Sequence, residues 1–220
     1  MNIYPSILTD SLQVLQKQLD LVKNNSNIEV VQVDIVDGQF ADNLTITPLD
    51  LLDADFAGLK IDLHLMVEEP MDYVYEVVSV KKQLPIRAIL SQVEKMSYFE
   101  DYIEEVKKHD WKVGLSLDLH TPLEEVKEVL STLDILQIMT IEAGFQEQDF
   151  QEQALEKISV EGRPDSDWKN QNIELIVDGG VKLKHLGQLK KLGIDGVSVG
   201  SALWQAEDIQ KIIQEFSKAS

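Results

Sequence analysis

Two aspartates and a histidine stand where short apolar runs turn polar. Asp34 closes Val31-Gln32-Val33-Asp34, His64 lies in Asp62-Leu63-His64-Leu65-Met66, and Asp178 follows Ile176-Val177 and precedes Gly179-Gly180. Two carboxylates facing each other across a pocket can move a proton from one face of a carbon to the other, one as base while its protonated partner is acid. A metal held between them by an imidazole would stabilise an enediolate and ease removal of a proton beside a carbonyl. Each residue also has a plainer reading. An aspartate at a strand end often caps a helix or holds a turn, and a histidine in a strand is often a hydrogen-bonded core residue. The chemistry therefore depends on a fold that brings the three together.

Runs rich in Val, Ile and Leu predict strands at Asn2–Ser6, Glu29–Asp34, Leu59–Met66, Pro85–Ser91, Lys112–Leu117, Asp134–Ile141, Ile173–Val177 and Gly196–Val199. Between them apolar residues recur at helical spacing. Ser11–Val22 sets Leu12, Leu15, Leu19 and Val22 on one face; Tyr98–Lys108, Leu123–Leu130, Phe150–Ile158, Leu183–Leu192 and Ala206–Phe216 behave alike. Thr121, Pro122 and Glu124 predict a capping box with proline at the first helical position, and Gly193 a helix stop. Strand alternating with helix implies parallel pairing through right-handed crossovers. Eight such units spread over residues 1–220 predict one α/β domain, a single-domain (β/α)8 TIM barrel. A doubly wound open sheet is the alternative, but no G-x-G-x-x-G follows the first strand. The polar stretch Val160–Gln171 is expected at the bottom face, away from the chemistry. Function in such barrels gathers at the C-terminal ends of strands. Period-two alternation puts Gln32 and Asp34 on one face and Asp62 and His64 on another, so Asp34 and Asp178 approach the mouth from separate strands with His64 nearby.

Composition narrows the partners. The chain carries 20 Lys+Arg against 39 Asp+Glu, a net charge of −19. That balance argues against nucleic acid, which needs clustered Lys and Arg, and against a polybasic membrane contact. With no cysteine there is no disulfide framework and no thiolate chemistry, which suits a reducing cytosol. The N-terminal MNIYPSILTDSLQ lacks a basic region followed by an apolar one, and charges interrupt every apolar run before membrane-spanning length. A cytoplasmic protein acting on a small molecule is the expectation. Homo-oligomerisation stays open, since outward helix faces serve assembly or solvent equally.

Several motifs now fall into one order: Pro5-Ser6-Ile7-Leu8, Val33-Asp34-Ile35-Val36-Asp37-Gly38-Gln39-Phe40 with Asn43-Leu44-Thr45-Ile46, Asp62-Leu63-His64-Leu65-Met66, Met139 to Gly144-Phe145, Val177-Asp178-Gly179-Gly180-Val181, and Gly200-Ser201-Ala202. Their order and spacing resemble the ribulose-phosphate 3-epimerase family over essentially the whole chain. The resemblance implies a ribulose-phosphate-binding (β/α)8 barrel that inverts a ketopentose phosphate at C3 with the aid of a divalent metal ion (Mn, Mg, Zn or Fe). It implies Asp34 and Asp178 as the acid/base pair and, with His64, as metal ligands. Ser6 becomes a substrate contact, and Met66 and Met139 match two methionines that cap the reacting atoms, Val36 replacing a third. Core filling is the plainer role of both methionines. Gly144, Gly179, Gly180, Gly200 and Ser201 fall in the loops that hold the sugar phosphate.

The chain also departs from that pattern. The family's second metal-binding histidine falls at Gln32, whose carbonyl is a weaker donor than imidazole and would favour Mn²⁺ or Mg²⁺ over Zn²⁺. His120, after the fifth strand, is one candidate for the missing imidazole, although an exposed loop histidine needs no such role. The phosphate loop, Gly-Phe-Gly-Gly-Gln in the family, reads Gly144-Phe145-Gln146-Glu147-Gln148. A carboxylate ~4–5 Å from a bound anion costs about 3–4 kcal/mol at an effective dielectric near 20, before solvent screening. Gln92 lies in a stretch that carries histidine in the family, and Asp118 stands for a usual Asn. Three functions remain open at this point: an epimerase of the ribulose-phosphate type, an epimerase or isomerase of another or non-phosphorylated ketose, and a non-catalytic paralogue that binds a metabolite or partner.

Overall fold

A computed structural model describes residues 1–158 and 172–219, so the expectation for Val160–Gln171 lies outside the described residues. Eight parallel strands close a barrel in chain order: β1 (Asn2–Ile7), β2 (Val30–Val36), β3 (Lys60–Met66), β4 (Ile86–Gln92), β5 (Lys112–Leu117), β6 (Ile135–Met139), β7 (Glu174–Asp178) and β8 (Gly196–Val199). The helices are α1 (Leu12–Val22), α2 (Pro70–Val80), α3 (Phe99–Lys107), α4 (Leu186–Leu192), α5 (Ser201–Trp204) and α6 (Ile209–Ala219). The barrel reading of the sequence holds. β2 runs two residues beyond its expected end, so Asp34 sits inside a strand rather than at its tip.

Several local expectations need correction. α2 carries little helical signature in its sequence, because Tyr73, Val74, Tyr75, Val77 and Val78 are strand-prone types. Proline at its first turn and the buried face Val74, Val77 and Val80 make it helical all the same. The stripe over Leu123–Leu130 is buried as expected, yet it forms two short 3-10 turns, Leu123–Val126 and Leu130–Thr132. Their main-chain bonds run from i+3 to i, as in Val129 N–H to Val126 O at 3.1 Å and Thr132 N–H to Val129 O at 2.9 Å. No side-chain cap forms there, so the capping box at Thr121 is absent. Phe150–Ile158 likewise resolves as a 3-10 segment, Glu152–Ile158. α4 does stop at Gly193, whose φ of +76° ends the helix as expected.

Apolar residues facing outward from the strands pack against the helices in one continuous layer that includes Ile7, Leu19, Val33, Leu63, Val77, Leu115 and Val197. Inside the barrel, Tyr4, Val30, Ala88, Leu90, Ile135 and Ile176 form an apolar layer. At the N-terminal end, Arg87 donates to Asp62 through Nε (2.7 Å) and Nη2 and to Glu174 through Nη1 (3.2 Å). Lys112 (3.1 Å) and the Tyr4 hydroxyl also donate to Glu174. Asp62 shares its strand face with His64 but belongs to this closed bottom plug.

Candidate active site

Above the apolar layer the barrel interior turns polar, and there the predicted residues meet. Ser6, Asp34, His64, Met66, Met139, Gly144, Asp178, Gly179, Gly180, Gly200 and Ser201 line one cavity at the mouth. Register pairs Asp34 with His64 on neighbouring strands, while Asp178 comes from β7. Thr45 Oγ1 donates to Asp34 O (3.0 Å) and accepts from Val36 N–H (2.9 Å), bracing the backbone around Asp34. Thr140 does the same for β7, with its N–H and its hydroxyl donating to Asp178 O at 2.7 and 3.0 Å.

The three side chains are in contact. His64 Nδ1 lies 3.1 Å from Asp34 Oδ1 and 3.7 Å from Asp178 Oδ2. Ser6 Oγ donates to Asp34 Oδ2 at 2.6 Å, so its first partner is the carboxylate. The hydrogen-bond network assigns the Gln92 amide with its carbonyl toward His64 Nε2 (3.1 Å) and its NH2 toward Ser116 O and Glu94 Oε2. Nε2 therefore carries the proton of neutral His64, and the Nδ1 lone pair points at the two carboxylates.

Burial opposes a charge on His64, but the hydrogen bond and charge of Asp34, aided by the charge of Asp178, outweigh it and raise the pKa. Asp178 is pushed up to about 6, first by burial and then by the Asp34 carboxylate. One proton held on Asp178 relieves the repulsion between the pair.

Gln32 sits beneath the carboxylates. Its amide nitrogen donates to Asp34 Oδ1 at 2.8 Å and to Asp178 Oδ2 at 2.6 Å. The two carboxylate acceptors face its NH2 group, not the carbonyl that a metal ligand would present. Gln137 also donates to Asp178 Oδ2, at 3.0 Å, and its own Oε1 has no partner among the described residues. Sequence reasoning passed over Gln137 and Ser116. Their signal is a buried polar residue near the C-terminal end of a mostly apolar strand, Ser116 one residue and Gln137 two residues before it.

One imidazole nitrogen and one oxygen from each carboxylate lie within 4.8 Å of one another in Asp34, His64 and Asp178. These three residues could hold a metal ion, and a histidine with two carboxylates suits a divalent one. His120 is exposed on the turn after β5 and is not part of the group, so the expectation of a supplementary imidazole falls away.

The rim is built by loops. Met66, Met139 and Val36 pack with Ile141 and Ala143 into an apolar collar. Gly179 has φ of +110°, and a Cβ there would collide with Ile141; at Gly180, φ +63°, it would lie 2.7 Å from Phe150 N. Loop six keeps a left-handed turn without its glycine, because Glu147 adopts φ of +64°. The Glu147 carboxylate is exposed and accepts from Gln205 Nε2 at 2.7 Å. The repulsion expected from it is accordingly screened and partly turned aside. Asp118 lies at the edge of this loop as a brace, accepting from Ala143 N–H at 3.1 Å.

Similar proteins share this architecture. The profile described as Ribulose-phosphate 3 epimerase family matches residues 2–204. A ribulose-phosphate 3-epimerase of Escherichia coli K12 is 32% identical over 189 residues, covering 85% of this chain and 82% of its own. One from Bacillus subtilis strain 168 is 28% identical over 215 residues, 97% of this chain and 96% of its own. The crystal structure of 3-hexulose-6-phosphate synthase from Salmonella typhimurium superposes with TM-score 0.69 at 14% identity over 100% of this chain and 98% of its own, a likeness of fold. Matched by one family profile over residues 2–204 and by relatives over most of its length, the chain belongs to the ribulose-phosphate 3-epimerase family.

Proposed function

We propose that the protein inverts the carbon beside the carbonyl of ketopentose phosphates, with ribulose 5-phosphate as substrate. The observation that carries this reading is the pair Asp34 and Asp178, brought from β2 and β7 onto one amide nitrogen, with Asp178 holding a proton up to about pH 6. A substrate lying across the pair meets one ionised carboxylate that can take the proton at C3 and one protonated carboxyl that can return it from the opposite face. Ser6 orients Asp34, and His64 orients both carboxylates. Met66, Met139 and Val36 exclude water from the carbanion face, where a flexible thioether can follow a changing ring of contacts.

A divalent ion on Asp34, His64 and Asp178 would supply positive charge to the developing enediolate oxygens. Two carboxylates and one imidazole make a mixed oxygen and nitrogen donor set compatible with Mn²⁺, Mg²⁺, Zn²⁺ or Fe²⁺. Gly144, Gly179, Gly180, Gly200 and Ser201 line the same cavity, and we assign the phosphate to them. Among the described residues no Lys or Arg lines the cavity, so an anion there relies on backbone N–H groups. Zero cysteine supports a cytoplasmic setting. Among the described residues no helix is long and apolar enough to cross a membrane. The intact contact of Asp34, His64 and Asp178 disfavours a non-catalytic paralogue, and family membership disfavours a change of reaction class.

The test is solvent exchange. In D2O with Mn²⁺, the purified protein is expected to replace the C3 hydrogen of ribulose 5-phosphate, followed by NMR after quenching and metal removal. No exchange at any loading of Mn²⁺, Mg²⁺, Zn²⁺ or Fe²⁺ would sink the reading.

A further inference from the structure

Between Asp34 Oδ1, Asp178 Oδ2 and His64 Nδ1 lies the point a cation would seek, and a side chain of this protein already answers it. Gln32 is 2% exposed, and its amide nitrogen lies 2.8 Å from Asp34, 2.6 Å from Asp178 and 3.4 Å from His64 Nδ1. An amide NH2 has two hydrogens and no charge, so it can serve both carboxylates at once as a cation would, without neutralising them. Gln137 repeats the choice by placing its nitrogen on Asp178 while its carbonyl goes without a partner among the described residues. Buried amides thus commit their donor ends to this spot even where an acceptor is left unsatisfied.

We propose that the Gln32 amide is a resident stand-in for the metal ion: it bridges Asp34 and Asp178 in the metal-free protein and must leave that position before a divalent ion can bind there. The inference rests on the reading of Asp34, His64 and Asp178 as a divalent-ion site. Its consequence follows from linkage. Whatever stability the bridge gives the empty site is subtracted from the affinity for the ion. Gln32 therefore acts as a competitor of the metal, lowering its affinity while holding the carboxylates in place when no ion is bound.

The experiment compares wild type with Gln32→Met, which keeps length and removes both donors and carbonyl, and with Gln32→His, which adds an imidazole. Mn²⁺ binding to the chelator-treated proteins is measured by calorimetry, and melting temperature is read with chelator present. Without metal, Gln32→Met should melt about 5 °C or more below wild type, because two charge-assisted hydrogen bonds are lost. It should nevertheless bind Mn²⁺ several-fold more tightly than wild type, and Gln32→His at least about tenfold more tightly. Weaker Mn²⁺ binding by Gln32→Met would make Gln32 a ligand and overturn the proposal, as would an unchanged metal-free melting temperature. If Gln32→His binds Mn²⁺ while Gln32→Met matches wild type, the competition is refuted but the metal site stands. No uptake by any of the three removes the site and the inference together. Should Gln32→Met fail to fold, the wild-type Gln32 NH2 signal, assigned by its loss in Gln32→His, decides the matter: Mg²⁺ saturation should speed its exchange with solvent, and unchanged protection overturns the proposal.

Discussion

The two ends of this barrel bury acidic pairs in opposite ways. At the N-terminal end Asp62 and Glu174 face Arg87 and Lys112, so each carboxylate has a permanent cation and the cluster is neutral. At the mouth Asp34 and Asp178 face one imidazole and the amides of Gln32 and Gln137. Both carboxylate pairs are hydrogen-bonded; charge is met at only one end. The first arrangement is inert, whereas the second holds a proton or an ion that can move. Local neutrality, not burial or polarity, separates the structural cluster from the chemical one.

Asp178→Asn should break this contrast most sharply. Removing one of two proton-transfer groups is expected to lower C3 exchange by about a thousandfold or more. Melting temperature at pH 8 should hold or rise by a few degrees, since a buried charge with no permanent cation is removed. A stability loss comparable to the activity loss would mean that the mouth is as structural as the plug. Asp62→Asn is the mirror experiment. It strands Arg87, 15% exposed at its side chain, without its main partner. Unfolding free energy should fall by about 3–5 kcal/mol in a urea titration, while kcat of the folded fraction stays within a factor of two or so of wild type.

Much of this contrast was legible in the sequence, and what escaped it did so for physical reasons. Eight Val/Ile-rich runs alternating with amphipathic stretches specified the barrel, and Asp34, His64 and Asp178 drew attention because charge is costly in an apolar run. α2 was missed because its Val and Tyr residues carry strand propensity, overridden here by tertiary packing. The segment over Leu123–Leu130 had the right buried face, but the pattern of apolar residues cannot tell 3-10 from α-helical bonding over so short a span. Gln32 was noticed for what it replaced, yet the end of its amide that faces the carboxylates depends on two acceptors from strands distant in sequence. The plug escapes a sequence reading because Arg87 and Glu174 each read singly as a polar residue near the start of a strand.

The pH dependence of stability sharpens the comparison by about 3 kcal/mol. Asp178 has a folded pKa of about 6, above an unfolded value of roughly 3.9. The folded state therefore binds the proton more tightly. That contribution is fully present below the unfolded value and is lost as pH rises from about 4 to about 6, some two units at 1.36 kcal/mol each. His64, also raised, adds a loss in the same direction as pH climbs through its folded pKa. The large net negative charge changes stability over the same range, so the measured quantity is the difference in urea midpoint between wild type and Asp178→Asn across pH 4–8. The difference should shift in favour of the variant as pH rises. A pH-independent difference would show that Asp178 is as well neutralised as Asp62.

The smallest effect belongs to the rim of the mouth, where Glu147 holds φ of +64° in the position of a family glycine. A left-handed non-glycine residue costs about 1 kcal/mol. Glu147→Gly relieves that strain but frees the unfolded chain by a similar amount and loses the Gln205 contact, so stability should move by less than about 1 kcal/mol. The carboxylate is exposed, and removing an exposed charge near a bound phosphate is worth about 0.2–1 kcal/mol. KM for ribulose 5-phosphate should therefore fall up to about fivefold with kcat unchanged, the improvement fading at high salt. An unchanged KM would show that the carboxylate, turned toward Gln205, leaves the phosphate region alone. A raised KM would assign Glu147 to holding the loop in shape, and the net negative field of the mouth would then end at Asp34 and Asp178.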